Sequence, residues 1–120
     1  LGIGVDIISN KKIKILIKNK TFINRIFGKN ELKHSKKNFN STNYFAKRFA
    51  AKEAIAKALG TGFRAGITMP SITIKKSPLN KPEVSLVGAA AERLRVIGAQ
   101  QVLVSIADEV DSVVAFAIAQ

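Results

Sequence analysis

Three side chains in this sequence could act together: Asp6, Glu53 and Lys57. Glu53 and Lys57 stand four residues apart, acid before base, the order that favours a helical pair. Alone, such a pair is a surface salt bridge worth roughly 0.2–0.5 kcal/mol. Here it shares a face with Ala46 and Ala50, and small neighbours leave room for a ligand or a second backbone. Asp6 is a carboxylate near the end of an apolar run, costly unless paired, hydrogen-bonded or metal-bound. Two carboxylates brought together repel unless a proton or a cation lies between them. With no cysteine in the chain, an oxygen-only donor set points to Mg²⁺ or a similar hard ion. Arg48, Lys52 and Lys57, close in sequence, would suit a polyphosphate.

The element that must present these groups is a helix read from the run of residues 43–62. At about 100° per residue, Phe45, Phe49, Ala56 and Leu59 form one apolar stripe, and Lys52 falls inside it. Lys52 then either snorkels past the aromatics to water or meets an anion in a partly buried cleft. Gly60 reads as the C-cap. Gly62 suits a loop that passes close to another group.

The other partner, Asp6, belongs to a strand over residues 1–8. Leu1, Ile3, Val5 and Ile7 alternate with Gly2, Gly4, Asp6 and Ile8, and the glycine face invites close packing by another element. If that element is the central helix, Asp6 approaches Glu53. Ser9 or Asn10 can cap a loosely helical stretch from Lys11 to Lys20. Phe22, Ile23, Ile26 and Phe27 follow at helical spacing, stopped by Gly28. Residues 29–42 are polar and read as a short helix or loop. After the central helix, strands are expected at residues 72–74 and 84–87, a turn at 77–82, a helix at 88–97, and strands at 102–107 and 112–119. This order predicts an α+β fold, a small, mainly antiparallel sheet packed with helices, one of them long and central.

A length of 120 residues and 47% hydrophobic content predict a single folded domain over residues 1–120. No apolar stretch approaches the roughly 18 residues of a membrane span, and the N-terminus shows no signal-peptide pattern. A cytoplasmic location is the plain reading, with an initiator residue expected before Leu1. The net charge of +12 is uneven: residues 1–60 hold 14 Lys and Arg against 3 Asp and Glu. That half should meet an acidic partner, although Lys, Asn and Ile enriched together also fit a coding bias.

Several segments resemble one family. Gly4-Val5-Asp6-Ile7 looks like its opening motif, and residues 48–62, from Arg48 to Gly62, look like its central signature. Asn80-Lys81-Pro82 and the run of residues 104–109 fall where its later segments lie. The sequence is similar nearly throughout to the holo-[acyl-carrier-protein] synthases, the small 4'-phosphopantetheinyl transferases. The resemblance implies a phosphopantetheinyl transferase fold and homotrimers with a site between subunits. It implies transfer of the 4'-phosphopantetheine arm of coenzyme A to a serine of apo acyl carrier protein in fatty acid biosynthesis. Adenosine 3',5'-bisphosphate is the other product. By the same resemblance Asp6 and Glu53 match Mg²⁺ ligands. Lys57 matches a lysine beside the transferring phosphoryl group, and Glu53, directly or through a water, a base for the serine. Arg48, Lys52, Gly60, Thr61 and Gly62 match or neighbour coenzyme-binding positions, with Lys81 and Pro82 from a neighbouring subunit. Lys12 and Lys18 stand where the family grips its acidic carrier.

There are departures. Asn80 replaces a frequent glycine, Asp108 replaces the histidine of some relatives, and Lys12 replaces a common arginine. The lone histidine, His34, matches no catalytic position and reads as a surface residue. An alternative is a small basic nucleic-acid-binding domain. Against it, the basic stretch from Lys11 to Lys20 holds no aromatic for base stacking and no recognisable motif. A non-catalytic module that binds an acidic protein would leave Asp6 unexplained.

Overall fold

The computed structural model describes residues 1–36 and 41–120. Strand β1 (Gly2–Ser9) leads into three short helices, α1 (Asn10–Leu16), α2 (Lys20–Ile26) and α3 (Lys29–Ser35). The long helix α4 (Ser41–Ala58) follows. A 3-10 turn (Met69–Ser71) opens the hairpin β2 (Ile72–Lys76) and β3 (Pro82–Leu86). Helix α5 (Gly88–Val96) precedes β4 (Val102–Asp108) and β5 (Ser112–Ala119). The fold is α+β and its strand pairs are antiparallel, but the strands divide into two sheets. One has the order β1-β5-β4; the other is the β2-β3 hairpin.

The three-stranded sheet presents small residues to α4. In register, Gly4 faces Ala117 and Val104 faces Ala117 from the other side, while Asp6 and Ile106 flank Ala115. A Cβ on Gly2 would run into the carbonyl oxygen of Ala58, and one on Gly4 into that of Ala54. The glycine face expected from the alternation is therefore the face that receives the helix. Ala46, Ala50 and Ala54 on α4 are fully buried, so their small size admits a second backbone.

The opposite face of the sheet is apolar and exposed. Ile3, Val5 and Ile7 of β1 are 64%, 53% and 68% accessible. They align with Ile118, Phe116 and Val114 of β5, and β4 adds Leu103 beside Ile118.

The helical stretch expected over Lys11 to Lys20 ends at Leu16, and the next helix begins at Lys20. Ser9 caps α1, accepting from the Lys12 amide at 3.2 Å. Asn19 then caps α2, accepting from the Thr21 and Phe22 amides at 2.9 and 3.2 Å. An asparagine that satisfies new amide donors starts a new helix and thereby ends the old one. The polar stretch read as short helix or loop holds α3, and α4 begins at Ser41, two residues before the expected start; residues 37–40 lie outside the described set.

Candidate active site

Helix α4 and strand β1 bring Asp6, Glu53 and Lys57 together. The Lys57 ammonium lies 3.2 Å from Asp6 Oδ1 and donates to the Val5 carbonyl oxygen at 2.9 Å. Asp6 is largely covered, its side chain 18% accessible, whereas Lys57 keeps half its surface in water. Burial raises the Glu53 carboxyl above its ordinary range, the charge of Asp6 adds to the rise, and Lys57 opposes it. The site thus sets two carboxylic acids near one another, with the Lys57 ammonium against Asp6. Among the described residues no group of three or more His, Cys, Asp or Glu could hold a metal. Two carboxylates still fit Mg²⁺, which draws the rest of its shell from water and substrate phosphates.

The loop beyond α4 is closed by a second set of bonds. The Gly60 amide donates to the Lys57 carbonyl at 3.0 Å and the Gly62 amide to that of Ala56 at 3.1 Å. Arg93 Nε caps the Leu59 carbonyl at 2.9 Å, satisfying another helix-end acceptor. Gly60 and Gly62 have φ of +83° and +59°. No protein atom approaches a Cβ built on Gly62 within 4 Å, and its left-handed backbone by itself favours glycine.

Arg48 is not part of the Asp6 cluster. It lines a groove of about 520 Å³ with Lys76, Asn80, Lys81, Pro82 and Ser105. The turn that carries Lys81 is held by the Ser77 amide on the Lys81 carbonyl at 2.8 Å and the Asn80 amide on the Ser77 carbonyl at 2.9 Å. Asn80 has φ +65°, a left-handed conformation that asparagine tolerates, so it keeps the backbone a glycine would adopt. Burial disfavours the charge of Arg48, and the nearby Tyr44 and Glu31 favour it.

Lys52 meets an anion, but that anion is Glu31 of the protein's own core rather than a ligand in a cleft. It is fully buried, so it does not snorkel, and its donors are occupied by protein. The ammonium bonds Glu31 Oε1 at 2.7 Å, the Ile26 carbonyl at 3.0 Å and the Met69 carbonyl at 3.0 Å. One side chain thus ties α2, α3 and the 3-10 turn to α4. An ammonium with three acceptors inside a core has no donor left for coenzyme.

The sequence pattern of the 4'-phosphopantetheinyl transferase superfamily matches residues 2–113. A holo-[acyl-carrier-protein] synthase of Neisseria gonorrhoeae is 45% identical over 99% of this chain and 97% of its own. The chain belongs to the holo-[acyl-carrier-protein] synthase family. A second family member, from Clostridium kluyveri, is 42% identical over 98% of this chain and 87% of its own. The crystal structure of the Neisseria meningitidis synthase superposes with a TM-score of 0.92 at 42% identity, covering 99% of this chain and 97% of that one. A Helicobacter pylori holo-[acyl-carrier-protein] synthase, solved in complex with coenzyme A, superposes at 0.85 with 28% identity, covering 98% and 99%.

In this member of the holo-[acyl-carrier-protein] synthase family, Lys12 is exposed on α1, whose inner face buries Ile13. Lys18 is exposed too, but in the turn after α1 rather than on it. Asp108, at the end of β4, is tied to α4 by the Asn43 amide at 3.1 Å and by Lys47 at 3.7 Å. His34 is exposed on α3, its Nδ1 2.7 Å from the Asn30 carbonyl oxygen. Sequence reasoning missed Glu31 as the partner of Lys52 and Tyr44 as the ring beneath Arg48. A pairing across 21 residues leaves no periodic trace in a sequence; the Tyr44–Arg48 spacing of one helical turn does.

Proposed function

We propose that Asp6, Glu53 and Lys57 of one copy face Arg48, Lys81 and Pro82 of another, and that coenzyme A lies between them. The chain is a holo-[acyl-carrier-protein] synthase: it moves the 4'-phosphopantetheine arm of coenzyme A onto a serine of apo acyl carrier protein. The observation that carries the residue assignment is the juxtaposition of Asp6, Glu53 and Lys57 where β1 meets α4.

Asp6 and Glu53 would hold Mg²⁺, which when bound neutralises charge on the coenzyme pyrophosphate. Glu53, directly or through a water, takes the proton of the attacking serine as general base. The serine Oγ–P bond forms and the P–O bond to the adenosine 5'-phosphate breaks, releasing adenosine 3',5'-bisphosphate. Lys57, half in water, offsets charge on the transferring phosphoryl group. The Gly60-Thr61-Gly62 loop at the end of the same helix borders that half of the site.

Supporting a second copy, the groove lined by Arg48, Lys81 and Pro82 is not lined by Asp6, Glu53 or Lys57. The exposed apolar face of β1, β5 and β4 is where copies would associate into a homotrimer. Exposed Lys12 and Lys18 would draw an acidic carrier protein by long-range attraction. No helix among the described residues is long and apolar enough to cross a membrane, and the proposed location is the cytoplasm.

The test is mass spectrometry of an apo carrier protein incubated with this chain, coenzyme A and Mg²⁺. A gain of one phosphopantetheine arm, lost on chelation, is expected. An unmodified carrier protein would overturn the activity; modification that survives chelation would overturn the metal.

A further inference from the structure

Tyr44 has no part in the reaction just described, yet it joins Arg48 to the buried frame of the protein. The Arg48 guanidinium carbon lies 3.7 Å from the centre of the Tyr44 ring. The Tyr44 hydroxyl donates to the Glu31 carbonyl oxygen at 2.9 Å. Glu31 is itself fixed, its Oε1 accepting from Lys52 at 2.7 Å and from the Gly28 amide at 3.1 Å. Tyr44 is 6% exposed and meets Phe45 edge-on, with ring centres 5.6 Å apart. The ring therefore has little freedom to swing.

Arg48 needs such a platform. It is 7% exposed, and its Nε is buried without a hydrogen-bond partner. No bond from that atom sets the plane of the guanidinium; the ring face does. Stacking on a ring uses the face of a guanidinium and leaves its edge donors free, the edge that matches a phosphate. We infer that Tyr44 is a positioning residue that aims the edge of Arg48 at the anionic group of the nucleotide end of coenzyme A.

This rests on the reading of Arg48 as a coenzyme contact. Coenzyme A carries a pyrophosphate and a separate phosphate on its ribose. The carboxylate pair is assigned to the pyrophosphate, so Arg48 is assigned to the separate 3'-phosphate. That group is remote from the bond that breaks, and contacts to it act equally on bound substrate and transition state. Loss of Tyr44 should therefore raise KM and spare kcat.

The experiment measures both constants with coenzyme A and with coenzyme A lacking the 3'-phosphate, for wild type, Arg48→Ala, Tyr44→Leu and Tyr44→Phe. Tyr44→Leu is expected to raise the KM for coenzyme A about tenfold, between the values of an exposed and a desolvated cation–ring contact. Its kcat, and its KM for the shortened coenzyme, should stay within about twofold of wild type. Tyr44→Phe keeps the ring but loses the tether to Glu31, and should raise the KM about threefold. An unchanged KM in Tyr44→Leu, or in Tyr44→Phe should the leucine variant fail to fold, overturns the proposal while a raised KM in Arg48→Ala keeps the coenzyme contact. An unchanged KM in Arg48→Ala overturns both. Equal rises with the two coenzymes would indicate general damage to the fold, and also overturn the proposal.

Discussion

Glu53 and Arg48 stand five residues apart on α4 and point about 140° away from each other around its axis. Glu53 meets Asp6 at the sheet; Arg48 meets Tyr44 and the groove of the β2-β3 turn. The two groups thus lie on different faces of one helix. On the reading proposed above, coenzyme A joins them across two copies.

Mixing should reveal this. Asp6→Ala spoils one half-site and Arg48→Ala the other. Assembled together, the two variants should form some sites with both halves intact. At coenzyme concentrations well below KM, the mixture is expected to exceed the summed activity of the separate variants. A mixture no better than that sum would mean that one chain supplies both halves.

Asp6→Ala and Glu53→Ala should each abolish modification of the carrier protein, measured by mass spectrometry, with the circular dichroism of the fold retained. Both side chains lie at the edge of the helix–sheet contact, which the glycines and alanines maintain without them. Full activity in either variant would remove that residue from the mechanism.

Glu53 also makes a prediction about stability. Its folded pKa is raised, so its favourable contribution is complete below the unfolded value of about 4.3 and is lost as pH rises through the folded value. In protein stripped of metal, Glu53→Gln should match wild type near pH 4 and be the more stable at pH 8, as read from urea midpoints. Added Mg²⁺ should raise the wild-type midpoint at pH 8 and leave that of Glu53→Gln unmoved.

Lys52→Met leaves Glu31 charged and unpaired in the core. That loss is expected to cost about 3–5 kcal/mol. Adding Glu31→Leu should recover part of it by removing the stranded carboxylate. Recovery should be incomplete, because the Ile26 and Met69 carbonyls also lose their donor. Chemical denaturation of the single and double variants measures both effects.

Gly4→Val would force β1 away from α4, where the Ala54 carbonyl leaves no space for a side chain. A cost of about 3 kcal/mol is expected, the upper end of ordinary overpacking. Activity should fall further than stability alone explains, since the same displacement separates Asp6 from Glu53. Stability and activity equal to wild type would contradict the close packing.

Much of this was legible in the residues. Alternation in β1 marked the glycine face that receives α4, and hence the approach of Asp6 to Glu53. The same alternation put Ile3, Val5 and Ile7 together but could not say that their face lies open. The helical stripe placed Lys52 among apolar residues correctly, yet its partner Glu31 comes from another helix. Grouping Arg48 with Glu53 followed proximity along the chain; counting 100° per residue would have separated them. The left-handed backbone of Gly62 is a second reason for the glycine that no periodicity reveals. Local periodicity records which face a residue occupies, and nothing local records what covers that face.

As the proposed association surface, the open face of β1 and β5, where Val5 and Phe116 lie side by side, would tie output to abundance. On the two-copy reading, a dilute chain is an enzyme split into inactive halves. Each added chain then completes sites out of proportion to its number until association saturates. Specific activity should climb with concentration before it levels, so a cell that makes few copies would load its carrier protein far less than half as fast as one that makes twice as many.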